Sequence, residues 1–231
     1  RSHPFTWSIP YAALGASSCV VLIEPAPFDV LALLLIAHYA IRSRMHPVHH
    51  RADALTVQIV SLLLLFALLQ VVPIAMSADD AAKSAFYAAI TTYLVIIGIH
   101  LADLHHRQDR RFASFLAGYL AAAILSALLA ISSLHPSVAA LAPGLLFSYG
   151  RPKALFKDPN VLGPYLVPAV LIFFILAASA RRVPKLLYLL ASLTCTLGVV
   201  VTASRAAWVN LAVVIVLFLA VTPLKYKLLG L

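Results

Sequence analysis

Eight long apolar runs, separated by short polar stretches, decide most of what this 231-residue chain can become. They cover Phe5 to Ile23, Phe28 to Ile41, Leu55 to Met76, Ser84 to Leu104, Phe112 to Ser132, Gly163 to Ala180, Lys185 to Val201 and Ala206 to Thr222. A helix needs roughly 20 apolar residues to cross a bilayer. The runs are continuous and do not alternate, which excludes the strands of a lipid-facing barrel. With 63% hydrophobic and 11% charged residues, too little polar surface exists to wrap such a core in water. Soluble, disordered and nucleic-acid-binding classes are thereby excluded, despite the net charge of +9. The expected fold is all-α: one polytopic integral membrane helical bundle over residues 1–231, with about eight transmembrane helices. Because the chain opens on Arg1 and stops soon after an apolar run, it is expected to be the N-terminal part of a longer protein.

The cations supply the orientation. With the N-terminus in the cytoplasm, twelve of the 17 Lys and Arg residues fall inside, among them Arg42, Arg44, Arg107, Arg110, Arg111, Arg181 and Arg182. Five fall outside: Lys83, Arg151, Lys153, Lys157 and Arg205. This split follows the positive-inside rule. Cys19 and Cys195 lie in apolar runs with no metal-ligand spacing, and read as small helix-interface hydrophobes. No buried acid marks a proton relay near the midplane, and His100 is expected to pair with Asp103 at the interface.

Outer cations oppose the topology bias, and four of the five sit in two loops, at 150–157 and 204–205. The loop at about 133–162 is the longest and is itself apolar, so it is expected to lie on or dip into the outer membrane interface. It ends in RPKALFKDPNVLGP, where Asp158-Pro159-Asn160 signals a turn, Asp158 or Asn160 offers a cap, and Pro164 suits the first turn of the next helix. In VTASRAAW, Ser204 reads as an N-cap with Arg205 in the first helical turn. A cation at a helix N-terminus is unfavourable unless an anion compensates it. Two readings of Arg205 therefore stand: it binds an anion, or it snorkels to lipid phosphates. Two outward helix N-termini and up to four cations on one membrane surface suit a lipid-linked phosphate or diphosphate. At about 5 Å and an effective dielectric near 20, each ion pair gives on the order of 3 kcal/mol before desolvation.

The stretch FKDPNVLGPYLVP (156–168), followed by TASRAAW (202–208), resembles the O-antigen ligase and polymerase family, as does the early EPAPFDVLALLL (24–35). These bacterial inner-membrane proteins transfer or polymerise undecaprenyl-diphosphate-linked glycans at the periplasmic face. The family's SRG-like segment is Ser204-Arg205-Ala206 here, which keeps the arginine. The resemblance implies a GT-C-like glycosyltransferase architecture and metal-independent glycosyl transfer without a cofactor. It further implies an undecaprenyl-diphosphate-linked glycan donor, a glycan or lipid A–core acceptor, surrounding membrane lipids and no nucleic acid. An acceptor hydroxyl would attack the anomeric carbon, and undecaprenyl diphosphate would leave. Diphosphate recognition is expected of Arg205 and Arg151, supported by Lys153 and Lys157, with Asn160 organising the loop. His135 does not match the family's acceptor-activating histidine, and no catalytic residue is assigned. Ligase and polymerase are not separable on these residues. A transporter or flippase of lipid-linked glycans, or a non-catalytic membrane subunit, are the alternatives; a flippase would show cations in an internal cavity.

Overall fold

A computed structural model of the chain describes residues 8–23, 25–45, 54–69, 72 and 81–221. Glu24, Gln70, Pro73, Arg1, Arg51, Lys225, Lys227 and the histidines at 46, 49 and 50 lie outside the described residues. The described residues are overwhelmingly helical, and their only β-type pairing is an isolated bridge between Leu146 and Pro152. The helices are α1 (Ser8–Ser17), α2 (Pro27–Met45), α3 (Ala54–Leu69), α4 (Ala81–His106), α5 (Arg110–Ser132), α6 (Pro136–Leu141), α7 (Pro159–Ser179), α8 (Arg182–Val201) and α9 (Arg205–Val221). All but α6 overlay one of the eight apolar runs. Four segments are long and apolar enough to cross a membrane: Ser84–His106, Arg110–Ser132, Pro159–Ser179 and Arg182–Val201. Leu62, Leu68, Val209 and Val216 are each more than 60% exposed, a surface that hydrocarbon accepts and water does not.

Several helix ends differ from the sequence expectation, the starts at Ala81 and Arg182 lying three residues early, and two differences have a local cause. The first run was expected to be helical to Ile23, but α1 stops at Ser17. There the Ser17 and Ser18 hydroxyls donate to the carbonyls of Leu14 and Gly15 at 2.9 and 2.6 Å, competing with the helical ladder. The other difference is at α7, which begins at Pro159 and not at Gly163. Asp158 is its N-cap, accepting from the Asn160 amide at 2.6 Å, and Pro159 takes the first position. Pro164 and Pro168 thus lie inside the helix.

The chain divides into two compact units, residues 1–12 with 29–116 and residues 13–28 with 117–231. In the first, α3 packs on α4 where Leu63 Cδ1 approaches Gly98. The Tyr93 hydroxyl donates to Asp29, tying α4 to α2. Between α4 and α5, Arg111 donates to Asp109 at 2.9 Å and holds its carboxyl below the usual range.

The second unit is built on close approach. Ser192 donates to the Val170 carbonyl at 3.0 Å, and a Cβ added at Gly198 would lie 2.8 Å from Leu166. Residue numbers fall along α7 as they rise along α8, so the two form an antiparallel hairpin. The same added Cβ would lie 2.9 Å from Ala127 Cβ on α5. Ala123, Ser126, Ala127 and Ala130 make a fully buried stripe of small side chains on that helix. Small residues let helix backbones approach where the hydrophobic effect gives no help. Cys195 is buried in this unit and, like Cys19, is a free thiol.

Candidate functional site

The two motif segments meet at the starts of α7 and α9. Phe156, 1% exposed, packs on Tyr165 with ring centroids 4.8 Å apart. Tyr165 is held in turn by Ser18, 2.8 Å from its hydroxyl, and by the Tyr119 hydroxyl, which donates to its carbonyl at 2.7 Å. The buried Phe156 ring thus fixes the chain where Lys157 and Asp158 lead into α7. One turn further on, a Cβ at Gly163 would sit 2.6 Å from Ala207 Cβ, 3.1 Å from Thr202 Oγ1 and 3.3 Å from Ser204 Cβ. Only a glycine lets the first turns of α7 and α9 lie side by side this closely.

The turn between α8 and α9 is closed by its own hydroxyls. Thr202 Oγ1 donates to the Val199 carbonyl at 2.7 Å and accepts from the Ser204 amide at 3.3 Å. Ala203, at φ +50°, reverses the chain. Ser204 is buried and its Oγ accepts from the Ala207 amide at 3.4 Å, the N-cap expected from the sequence. Arg205 is therefore the first residue of α9. Its side chain is exposed and makes no hydrogen bond or ion pair among the described residues. The first amides of such a helix have no partner within it.

Arg151 does more than the sequence suggested. It projects from a small hairpin in which Phe147 and Lys153 amides donate to the carbonyls of Arg151 and Leu145, at 2.8 and 2.9 Å. Its Nε and Nη2 both donate to the Thr202 carbonyl, at 3.0 and 2.9 Å. Nη2 also reaches the Ala203 carbonyl and Asn160 Oδ1, each at 3.2 Å. One guanidinium thus caps the C-terminal end of α8, where carbonyls carry partial negative charge, and ties it to the first turn of α7. Nη1 keeps no hydrogen bond among the described residues. The sequence offered no signal for this role, because the carbonyls it satisfies lie 51 and 52 residues away. Asn160, expected to organise the loop, is exposed and accepts from Arg151 through its Oδ1.

Lys157 is exposed and Lys153 half-buried, the latter in the hairpin that carries Arg151. The hairpin tip is Ser148-Tyr149-Gly150, with Tyr149 at φ +60° and its side chain fully exposed. Phe147 and Leu141 add exposed apolar surface to the same loop. The expected His100–Asp103 pair does not form: His100 bonds Tyr11, and Asp103 bonds Tyr39 and Arg107. Partners on other helices displace a pairing that sequence proximity alone favoured. Among the described residues, no group of three His, Cys, Asp or Glu side chains could hold a metal ion.

Comparison with known proteins gives no match: no family model, no curated protein and no solved structure corresponds to this chain.

Proposed function

We propose that this chain is the donor-binding part of a membrane glycosyltransferase acting on undecaprenyl-diphosphate-linked glycans at the periplasmic face of a bacterial inner membrane. Ligase and polymerase activities share this chemistry. The observation that carries the reading is the side-by-side start of α7 and α9, with Arg205 left without a hydrogen-bond or ion-pair partner among the described residues at the first turn. A cation there is unfavourable to the fold by itself, and a diphosphate bound to it would offset both the charge and the free amides. Arg205 is the principal ligand in this reading, with Lys153 and Lys157 in support. Arg151 holds the frame through its carbonyl contacts and offers only its Nη1 edge, and Asn160 steadies Arg151. A diphosphate gripped this way is stabilised as it leaves, which is where transfer to an acceptor hydroxyl gains most.

Binding is the direct test. Purified protein in micelles should retain undecaprenyl diphosphate against competition by undecaprenol, which has the same chain and no diphosphate. Equal retention of the two would overturn the reading.

We propose eight spans with the N-terminus in the cytoplasm, supported by the eight apolar runs of the sequence and the cation split. In a background with Cys19 and Cys195 replaced by alanine, Tyr149→Cys should react with an impermeant thiol reagent supplied from the periplasmic side. Gln108→Cys and Arg182→Cys should react only after the membrane is opened. All three positions are exposed, so the reverse pattern would invert the orientation.

A further inference from the structure

We propose that the loop between α5 and α7 is a membrane-interface anchor, with Leu141, Phe147 and Tyr149 seated in the phospholipid head-group layer. The proposal rests on α5, α7 and α8 crossing the membrane, and it is independent of the diphosphate reading. Every residue involved belongs to the second unit.

The level of the loop follows from the helices that hold it. α5 and α7 are each long and apolar enough to cross, and the connection between them holds only the six-residue α6 and two single 3-10 turns. Nothing in that connection can cross back, so Ser132 and Pro159 lie at one membrane face. α8 runs antiparallel to α7 and returns to that face. Its 20 residues rise about 30 Å, the thickness of the hydrocarbon core, which sets its last turn at the hydrocarbon edge. There the Arg151 guanidinium holds the Thr202 carbonyl at 2.9 Å. Tyr149 is two residues from Arg151, and two residues of chain reach at most about 7 Å. The hairpin tip is thus tied to the hydrocarbon edge, beside a head-group layer about 5–8 Å thick.

Packing keeps the apolar side chains of this loop facing out. Pro152, Ala154 and Phe156 are buried and pin the segment that returns to α7. The Phe147 amide donates to the Arg151 carbonyl and the Gly150 amide to that of Phe147, at 2.8 and 3.1 Å, which holds the tip in a closed turn. Leu141 is left 86% exposed, and Phe147 and Tyr149 are exposed with it. Tyr149 accepts a costly left-handed backbone and buries nothing within the unit in return. A second connection joins the same surface: the Val21 amide donates to the Leu155 carbonyl at 3.0 Å, and the next two residues, Leu22 and Ile23, are exposed. A tyrosine ring, apolar with one polar end, favours the membrane–water boundary. Lys153 and Lys157 in the same segment bring the charge that lipid phosphates attract. Apolar tips spread along a loop, with cations among them, fit a lipid surface; a partner protein takes a contiguous patch with few charges at its centre.

The test places one tryptophan at the tip. In protein whose two tryptophans are replaced (Trp7→Phe and Trp208→Phe), Tyr149→Trp is reconstituted in nanodiscs of phosphatidylcholine and phosphatidylglycerol. Its emission should lie at shorter wavelength than that of tryptophan in water. Lipids brominated near the head-group end of the acyl chain should quench it about twofold more than lipids brominated near the chain end, as for a side chain about 5–10 Å into the boundary. Leu141→Trp should give the same pattern, and it keeps the test open should Tyr149→Trp not fold. The layer is hydrated, so a cysteine at position 149 still meets a water-borne reagent. Emission as in water, unquenched by either lipid, would overturn the proposal. So would a shifted emission that neither lipid nor aqueous iodide quenches, the mark of a protein cover, or equal quenching at both depths, which would set the side chain in the hydrocarbon.

Discussion

Arg205→Ala is expected to lower affinity for undecaprenyl diphosphate about a hundredfold while leaving the fold intact. Two charge-assisted hydrogen bonds from one guanidinium contribute about 3 kcal/mol together, and that is about a hundredfold in affinity. The fold should not notice, because the Arg205 side chain is exposed and touches no described residue by hydrogen bond or ion pair. Removing a cation from the first turn should even stabilise α9 by a few tenths of a kcal/mol. Arg205→Lys should recover only part of the affinity, since an ammonium lacks the planar fork that grips two oxygens. Arg151→Ala is the informative contrast. It should lower the thermal midpoint without any lipid present, by the loss of its bonds to Thr202, Ala203 and Asn160. Arg182→Ala should change neither quantity. Unaltered donor affinity in Arg205→Ala, measured by titration with the labelled lipid, would leave snorkelling as the sole role of that arginine.

Gly163→Ala should destabilise the second unit by about 1–3 kcal/mol, the usual cost of forcing atoms into a packed interior. The new Cβ would stand 2.6 Å from that of Ala207, a separation no pair of methyl groups tolerates. Thr202 and Ser204 close the space on its other sides, so sideways relief is small. Combining Gly163→Ala with Ala207→Gly should restore a large part of the loss, because the clash is between those two positions. The readout is the thermal midpoint in micelles. A double variant no better than the single one would show that the contact does not govern the helix pair.

The helices were legible because apolar runs of this length have few other fates, and each of α2 to α5 and α7 to α9 overlies such a run even where its ends move. Ser204 was legible as a cap because its hydroxyl acts three residues along the same chain. The start of α7 was misjudged by four residues because Asp-Pro-Asn reads equally as a turn or as a cap followed by two helical positions. The end of α1 depended on serines choosing local carbonyls, a choice set by surroundings that the pattern does not encode. Arg151 and His100 were opaque for another reason: their partners lie 51 and 89 residues distant, so nothing in the local spelling names them. At the candidate site, the sequence therefore indicated which residues carry charge, while packing decided that Arg151 spends most of its guanidinium on carbonyls and Arg205 spends none.

The guanidinium of Arg151 also limits how this chain can be re-engineered. A loop of this length invites exchange, since surface connections are the usual places to splice one protein into another. Here the hairpin at 143–153 donates the hydrogen bonds that close the end of a helix it does not belong to. A chimaera carrying a foreign hairpin would have to bring an arginine at the matching place, or leave the Thr202 and Ala203 carbonyls without those donors. Swapping the loop would then register first as a change in how well α8 holds its last turn.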